Sequence, residues 1–149
     1  MRCCESKIKS RITVLSKNNK YSTIVWQKLA KSNDVPQRNS HLEKNIYLNN
    51  LKVCLCTVDS TDLDIWEKNV KYSEGVILII EAYEINSPEV QNFISDLNKQ
   101  IILVLCNTTN IGDTNIDDSP DSQTKYLVCD IESWKGPDQG LSWLTESIK

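Results

Sequence analysis

The chain has 149 residues, 40% of them hydrophobic and 25% charged, and a net charge of -3 with both signs mixed along its length. That is enough apolar material for one globular domain, residues 1–149, with a proper core, and it leaves no basic footprint of the kind a nucleic-acid partner requires. No apolar run reaches the length of a membrane span. The start, MRCCESKIKS, lacks the apolar centre of a signal peptide, so the expectation is a cytoplasmic protein with residues 1–10 as a flexible N-terminal segment.

In chain order, the β-branched run Arg11–Leu15 predicts a strand. Polar or small residues, Ser16–Ser22, predict a loop, and Ile24, Val25 and Leu29 follow at near-helical spacing. A phosphate loop of the form GxxxxGK[ST] belongs at such a strand-to-helix junction, because glycines let backbone N–H groups curl round an anion and the helix N-terminus adds a favourable dipole. Laid on that frame are Ser16, Lys17, Asn18, Asn19, Lys20, Tyr21, Ser22 and Thr23. Ser16 and Tyr21 stand for the glycines and Ser22 for the lysine. Only Thr23 keeps its type, that of the metal-binding hydroxyl, and Lys17 or Lys20 is a candidate displaced cation.

Lys31–Lys44 is polar, contains Pro36 and reads as a loop. Ile46–Leu48, a turn at Asn49-Asn50 and Leu51–Val58 predict a hairpin, since asparagine tolerates positive φ. Ser60–Tyr72 reads as a loop passing into a short helix. Val76–Ile80 (behind Gly75), Ile101–Cys106 and Tyr126–Cys129 are apolar runs of the kind buried on both faces of a parallel sheet. Ser87-Pro88-Glu89 supplies an N-cap, a first-turn proline and an acid, starting a helix Pro88–Asn98; Gly140–Ile148 is a closing amphipathic helix. The alternation implies an α/β fold with a mostly parallel sheet covered by helices on both faces. Ligands of such sheets bind beyond the carboxyl ends of the strands, here Ser16–Ser22, the stretch after Val58, Glu81 and Ala82, Asn107–Asn110 and Asp130–Trp134.

Cys54, Cys56, Cys106 and Cys129 sit in apolar runs and read as core thiols. Cys54-x-Cys56 has no second cysteine pair and no histidine at zinc spacing, so the sequence does not point to a metal site there.

Taken together these segments resemble the ADP-ribosylation-factor-like branch of the Ras-like small GTPases. Arg11–Leu29 fits that family's first strand, phosphate loop and first helix without a gap. LKVCLCTVDST, Leu51–Thr61, is similar to its third strand running into the second switch, and WEKNVKYSEGVILIIEA, Trp66–Ala82, to the elements that follow. IILVLCNTTNI, Ile101–Ile111, resembles the strand carrying the guanine-reading Asn-Lys-x-Asp, and GLSWL, Gly140–Leu144, the Gly-Leu-x-Trp-Leu of the last helix. The resemblance implies a three-layer P-loop GTPase-like fold with one antiparallel hairpin strand, GTP or GDP with magnesium as cofactors, and protein partners in intracellular vesicle traffic.

The departures fall on the nucleotide motifs. Besides the phosphate loop, Thr57-Val58-Asp59-Ser60-Thr61 stands where the family has Asp-x-Gly-Gly-Gln, with Thr61 at the water-orienting glutamine, so no catalytic residue is assigned. Gln37 stands near the magnesium-binding threonine of the first switch. At the base site Asn107 is kept, Thr108 replaces lysine and Asn110 replaces aspartate; an amide facing guanine's two donors mismatches one of them, at about 1–3 kcal/mol. Two readings follow: a pseudo-GTPase that acts by binding partners, and a divergent switch that still binds GTP.

Between Ile111 and Lys125 the family's helix is expected to be missing, replaced by a polar loop. A calcium site from Asp113, Asp117, Asp118 and Asp121 is the sharper alternative, although their spacing is not that of an EF-hand. Arg2 excludes N-myristoylation; Cys3 and Cys4, beside Lys7, Lys9 and Arg11, are either palmitoylated for peripheral membrane contact or plain thiols. An unrelated flavodoxin-like module also stays open, to be excluded by an antiparallel second strand.

Overall fold

The computed structural model describes residues 10–33, 41–58, 60, 62–97, 100–108 and 123–148. Among the described residues, six strands form one sheet: β1 (Ser10–Ser16), β2 (His41–Leu48), β3 (Leu51–Val58), β4 (Gly75–Glu81), β5 (Ile101–Asn107) and β6 (Thr124–Cys129). Their order is β2-β3-β1-β4-β5-β6, parallel throughout except that β2 runs antiparallel to β3. The antiparallel β2 excludes the all-parallel flavodoxin-like order. Among the described residues, four α-helices, α1 (Asn19–Ala30), α2 (Leu63–Val70), α3 (Pro88–Asp96) and α4 (Pro137–Ile148), accompany the sheet.

The apolar runs explain the layering. In β4, Ile77 and Ile79 enter a core shared with Val25 and Trp26 of α1 and with Leu141 and Leu144 of α4. Val76, Leu78 and Ile80, on the opposite pleat, pack with Trp66 of α2 and with Val90, Phe93 and Ile94 of α3. β5 divides in the same way, Leu103 and Leu105 to one face and Ile102, Val104 and Cys106 to the other. Strands buried on both faces need apolar side chains at both parities, which is why these segments read as continuous runs. No helix among the described residues is long and apolar enough to cross a membrane.

Several boundaries differ from expectation. Residues 16–22 are not a loop: Ser16 closes β1 and α1 begins at Asn19. Asn18 is the cause, because its side chain accepts a 3.0 Å bond from the Lys20 N–H and so starts the helix within two residues of the strand. β2 begins at His41, inside the segment read as loop, because this edge strand pairs with β3 by backbone while exposing Glu43, Lys44 and Asn45 and so lacks an apolar alternation. α4 starts three residues before Gly140, at Pro137, a favoured first helical position. Ser10, placed in the flexible segment, belongs to β1. The hairpin turn stands as expected, with φ of 47° at Asn49 and 70° at Asn50.

Candidate functional site

The carboxyl ends of β1, β4 and β5 meet the start of α1, and there the tyrosine from the phosphate-loop frame joins residues from two other strands. Tyr21, on the first turn of α1, is 8% exposed, and its ring belongs to the core beneath the sheet. Its hydroxyl donates to the carboxylate of Glu81, at the end of β4, with distances of 3.1 and 3.3 Å. Asn107, at the end of β5, donates through Nδ2 to the Tyr21 hydroxyl and to Glu81 Oε1, both at 3.0 Å. The other atom of the Asn107 amide, Oδ1, accepts from the Ile131 N–H at 2.9 Å, which ties the network to the turn after β6. The Glu81 backbone N–H in turn donates to Glu84 Oε1 at 3.0 Å.

This bridge stands between two shallow hollows. Tyr21, Glu81 and Tyr83 line both; one, of about 230 Å³, adds Ser16, Lys17 and Asn18, and the other, of about 430 Å³, adds Asn107, Thr108, Asp130 and Glu132. The larger hollow therefore carries carboxylates on both flanks. A field of that sign disfavours anions and favours neutral or cationic groups.

Three backbone donors at the start of α1 are already in use. Lys20 N–H goes to Asn18 Oδ1, Tyr21 N–H to the Asn18 carbonyl at 3.0 Å, and Asn18 N–H to Ser16 Oγ at 3.1 Å. Ser22, at the frame's lysine position, is 1% exposed and its hydroxyl donates to the Asn19 carbonyl at 3.1 Å. Thr23 is half-buried and lies one residue beyond the first turn. Lys17 pairs with Glu89 of α3 and Lys20 with Glu132 at 3.1 Å, so both candidate cations have acidic partners. The exposed Asn19 is the first helical residue.

In the second-switch frame, Thr57 is buried and donates to the Val14 carbonyl at 3.1 Å, a sheet-internal bond at the position of the magnesium-holding acid. Ser60 Oγ accepts from the Asp62 N–H at 3.0 Å, and Asp62 caps α2 through Asp64 N–H at 2.9 Å. Thr108 N–H donates to the Cys129 carbonyl at 2.8 Å. Asp59, Thr61, Gln37, Asn110, Cys3, Cys4, Asp113, Asp117, Asp118 and Asp121 lie outside the described residues, as does the segment after Ile111 in which the helix is expected to be missing.

Sequence reasoning named Tyr21 and Asn107 but missed Glu81 as their partner, and the signal it had was a carboxylate at the end of an apolar strand. Burial first, and then the Glu81 charge, raise the Tyr21 phenol above its ordinary value of 10.0. The folded chain thus holds that proton more tightly than the unfolded chain, so the stabilisation is complete below pH 10.0 and is lost as pH rises through the higher folded value. Tyr21→Phe is expected to cost about 1 kcal/mol near neutral pH. It should also flatten the alkaline fall in melting temperature; an alkaline limb as steep as the parent's would show that the phenol is not the titrating group.

The buried thiols Cys106 and Cys129 are pushed up to about 12 by desolvation, as befits core residues rather than nucleophiles. No protein-family model and no curated protein sequence matches this chain.

Proposed function

We propose that this chain is a pseudo-GTPase of the Arf-like kind, a protein that keeps a small-GTPase-like three-layer scaffold and acts by binding other proteins, in intracellular vesicle traffic, with GTP binding weakened or lost. The scaffold part of the reading is supported by the strand order with its antiparallel β2 and by helices on both faces. The traffic role rests on the sequence resemblance alone.

The observation that carries the loss of nucleotide binding is the Tyr21–Glu81–Asn107 bridge. A triphosphate would have to enter beside the Glu81 carboxylate, displace a buried tyrosine, and find two of the helix donors already bonded to Asn18. With these groups engaged to one another, the switch segments have no terminal phosphate to sense, and the surface presented to partners is nearly constant.

Calorimetry of the full chain with GDP and with GTP, with and without magnesium, tests this. The expected result is no heat of binding at nucleotide concentrations far above those that saturate a working GTPase. Micromolar, magnesium-dependent binding would sink the proposal and favour the divergent-switch reading. Pull-down with Tyr83→Ala, which removes an 85% exposed aromatic at the rim of both hollows, asks whether this edge is the partner surface.

A further inference from the structure

On the α2 and α3 side of the sheet, away from the bridge, the hairpin brings three metal-ligating side chains together. Cys54 and Cys56 are two residues apart on β3, so both point to one face. Antiparallel pairing places Glu43 of β2 opposite Cys56, and parallel pairing places Arg11 of β1 opposite Cys54. The carboxylate and both sulfurs lie within 4.8 Å of one another. We propose that Glu43, Cys54 and Cys56 bind a borderline-soft divalent cation of the zinc class, with Arg11 as the outer partner that holds the carboxylate.

The sulfur separation carries the argument. Two thiolates on one tetrahedral zinc, each bond ~2.3 Å long, stand ~3.8 Å apart. Here Cys54 Sγ and Cys56 Sγ are 3.8 Å apart, which matches that spacing. The third ligand needs only a small swing, and Glu43 is exposed enough to make it. Cys54 is half-buried and Cys56 buried, so the site has a closed floor and an open mouth by which an ion can enter. Three protein ligands leave a fourth position for water, as in open zinc sites.

Charge is also matched. Two thiolates and one carboxylate around a divalent cation leave a single net negative charge, and the Arg11 guanidinium, 3.1 Å from Glu43 Oε2, balances it. Carboxylate ligands are commonly held by such an outer hydrogen-bond partner. Binding forms two metal–sulfur bonds and releases two thiol protons to solvent. Because both thiols must be deprotonated to bind, affinity should fall as pH falls.

The test is titration of the reduced, chelator-treated full chain with Co²⁺ as a spectroscopic probe, followed by Zn²⁺. The expected result is one cobalt per chain with a thiolate-to-cobalt charge-transfer band and the visible bands of a tetrahedral ion, both bleached by Zn²⁺. Cys54→Ser should weaken binding and cut the band to at most that of a single thiolate, Glu43→Gln should weaken binding by at least the ~10-fold typical of losing an outer partner, and Cys3→Ser with Cys4→Ser should leave it unchanged. Cys54 is on the solvent side, so its variant reads the site even if the buried Cys56→Ser fails to fold. Absence of a charge-transfer band in the parent chain overturns the proposal, and so does a band that Cys54→Ser leaves at its full intensity and affinity.

Discussion

Tyr21→Gly combined with Ser22→Lys, the pair that would rewrite the start of α1 toward a Gly-Lys phosphate loop, is expected to unfold the protein and to return no GTP binding. Truncating a buried aromatic costs about 3–5 kcal/mol, and a glycine inside a helix adds about 1 kcal/mol. Ser22 is 1% exposed, so lysine there must either bury an ammonium or force the helix off the sheet. Set against a total stability of about 5–15 kcal/mol for a domain, this leaves little or nothing. Far-UV circular dichroism with urea denaturation measures it, and the single Tyr21→Gly separates the core loss from the lysine. A double variant that melts like the parent, or that gains stability with GTP and magnesium, would contradict the assignment of Tyr21 as core. The glycines of a phosphate loop serve a backbone that wraps an anion, and here the same positions belong to a strand end and a helix.

Trp66→Ala is expected to cost about 3–5 kcal/mol, the range for removing a buried large aromatic. Trp66 is 2% exposed, packs edge-on against Phe93 with ring centroids 5.3 Å apart, and donates through Nε1 to the Ser60 carbonyl at 2.6 Å. One side chain thus fastens the segment after β3 and helix α2 to α3. Trp66→Phe keeps much of the packing and loses the bond, so it should cost less, by an amount read from the two urea midpoints at equal slope. Hydrogen exchange of the α2 amides should rise in Trp66→Ala more than in Trp66→Phe. Equal, small effects in both variants would mean that the ring does not anchor this segment.

Much of the architecture was legible because its causes are local. Val76–Ile80 and Ile101–Cys106 are apolar at both parities, and both became central strands. Ser87-Pro88-Glu89 announced α3, and Asn49-Asn50 announced the hairpin, each through a backbone preference that needs no distant partner. The start of α1 was not legible in the same way, since Asn18-Asn19 reads equally as turn or as cap. β2 was shortened because an exposed edge strand carries polar residues and draws its pairing from β3 rather than from its own pattern.

The two sites were legible only as separate residues. Tyr21 and Glu81 are 60 positions apart and Asn107 lies 86 from Tyr21, so their hydrogen bonds exist only once β1, β4 and β5 lie side by side. Cys54-x-Cys56 is visible to any reader of the chain, but Glu43 joins it only through the antiparallel register of the hairpin. By itself the sequence determined that the chain makes strands buried on both faces, interleaved with helices, and that the first strand-to-helix junction carries neither the glycines nor the lysine of a phosphate loop. The tertiary structure decided what fills that place and which side chains meet across strands, because such contacts depend on strand order and register, which local propensity does not encode.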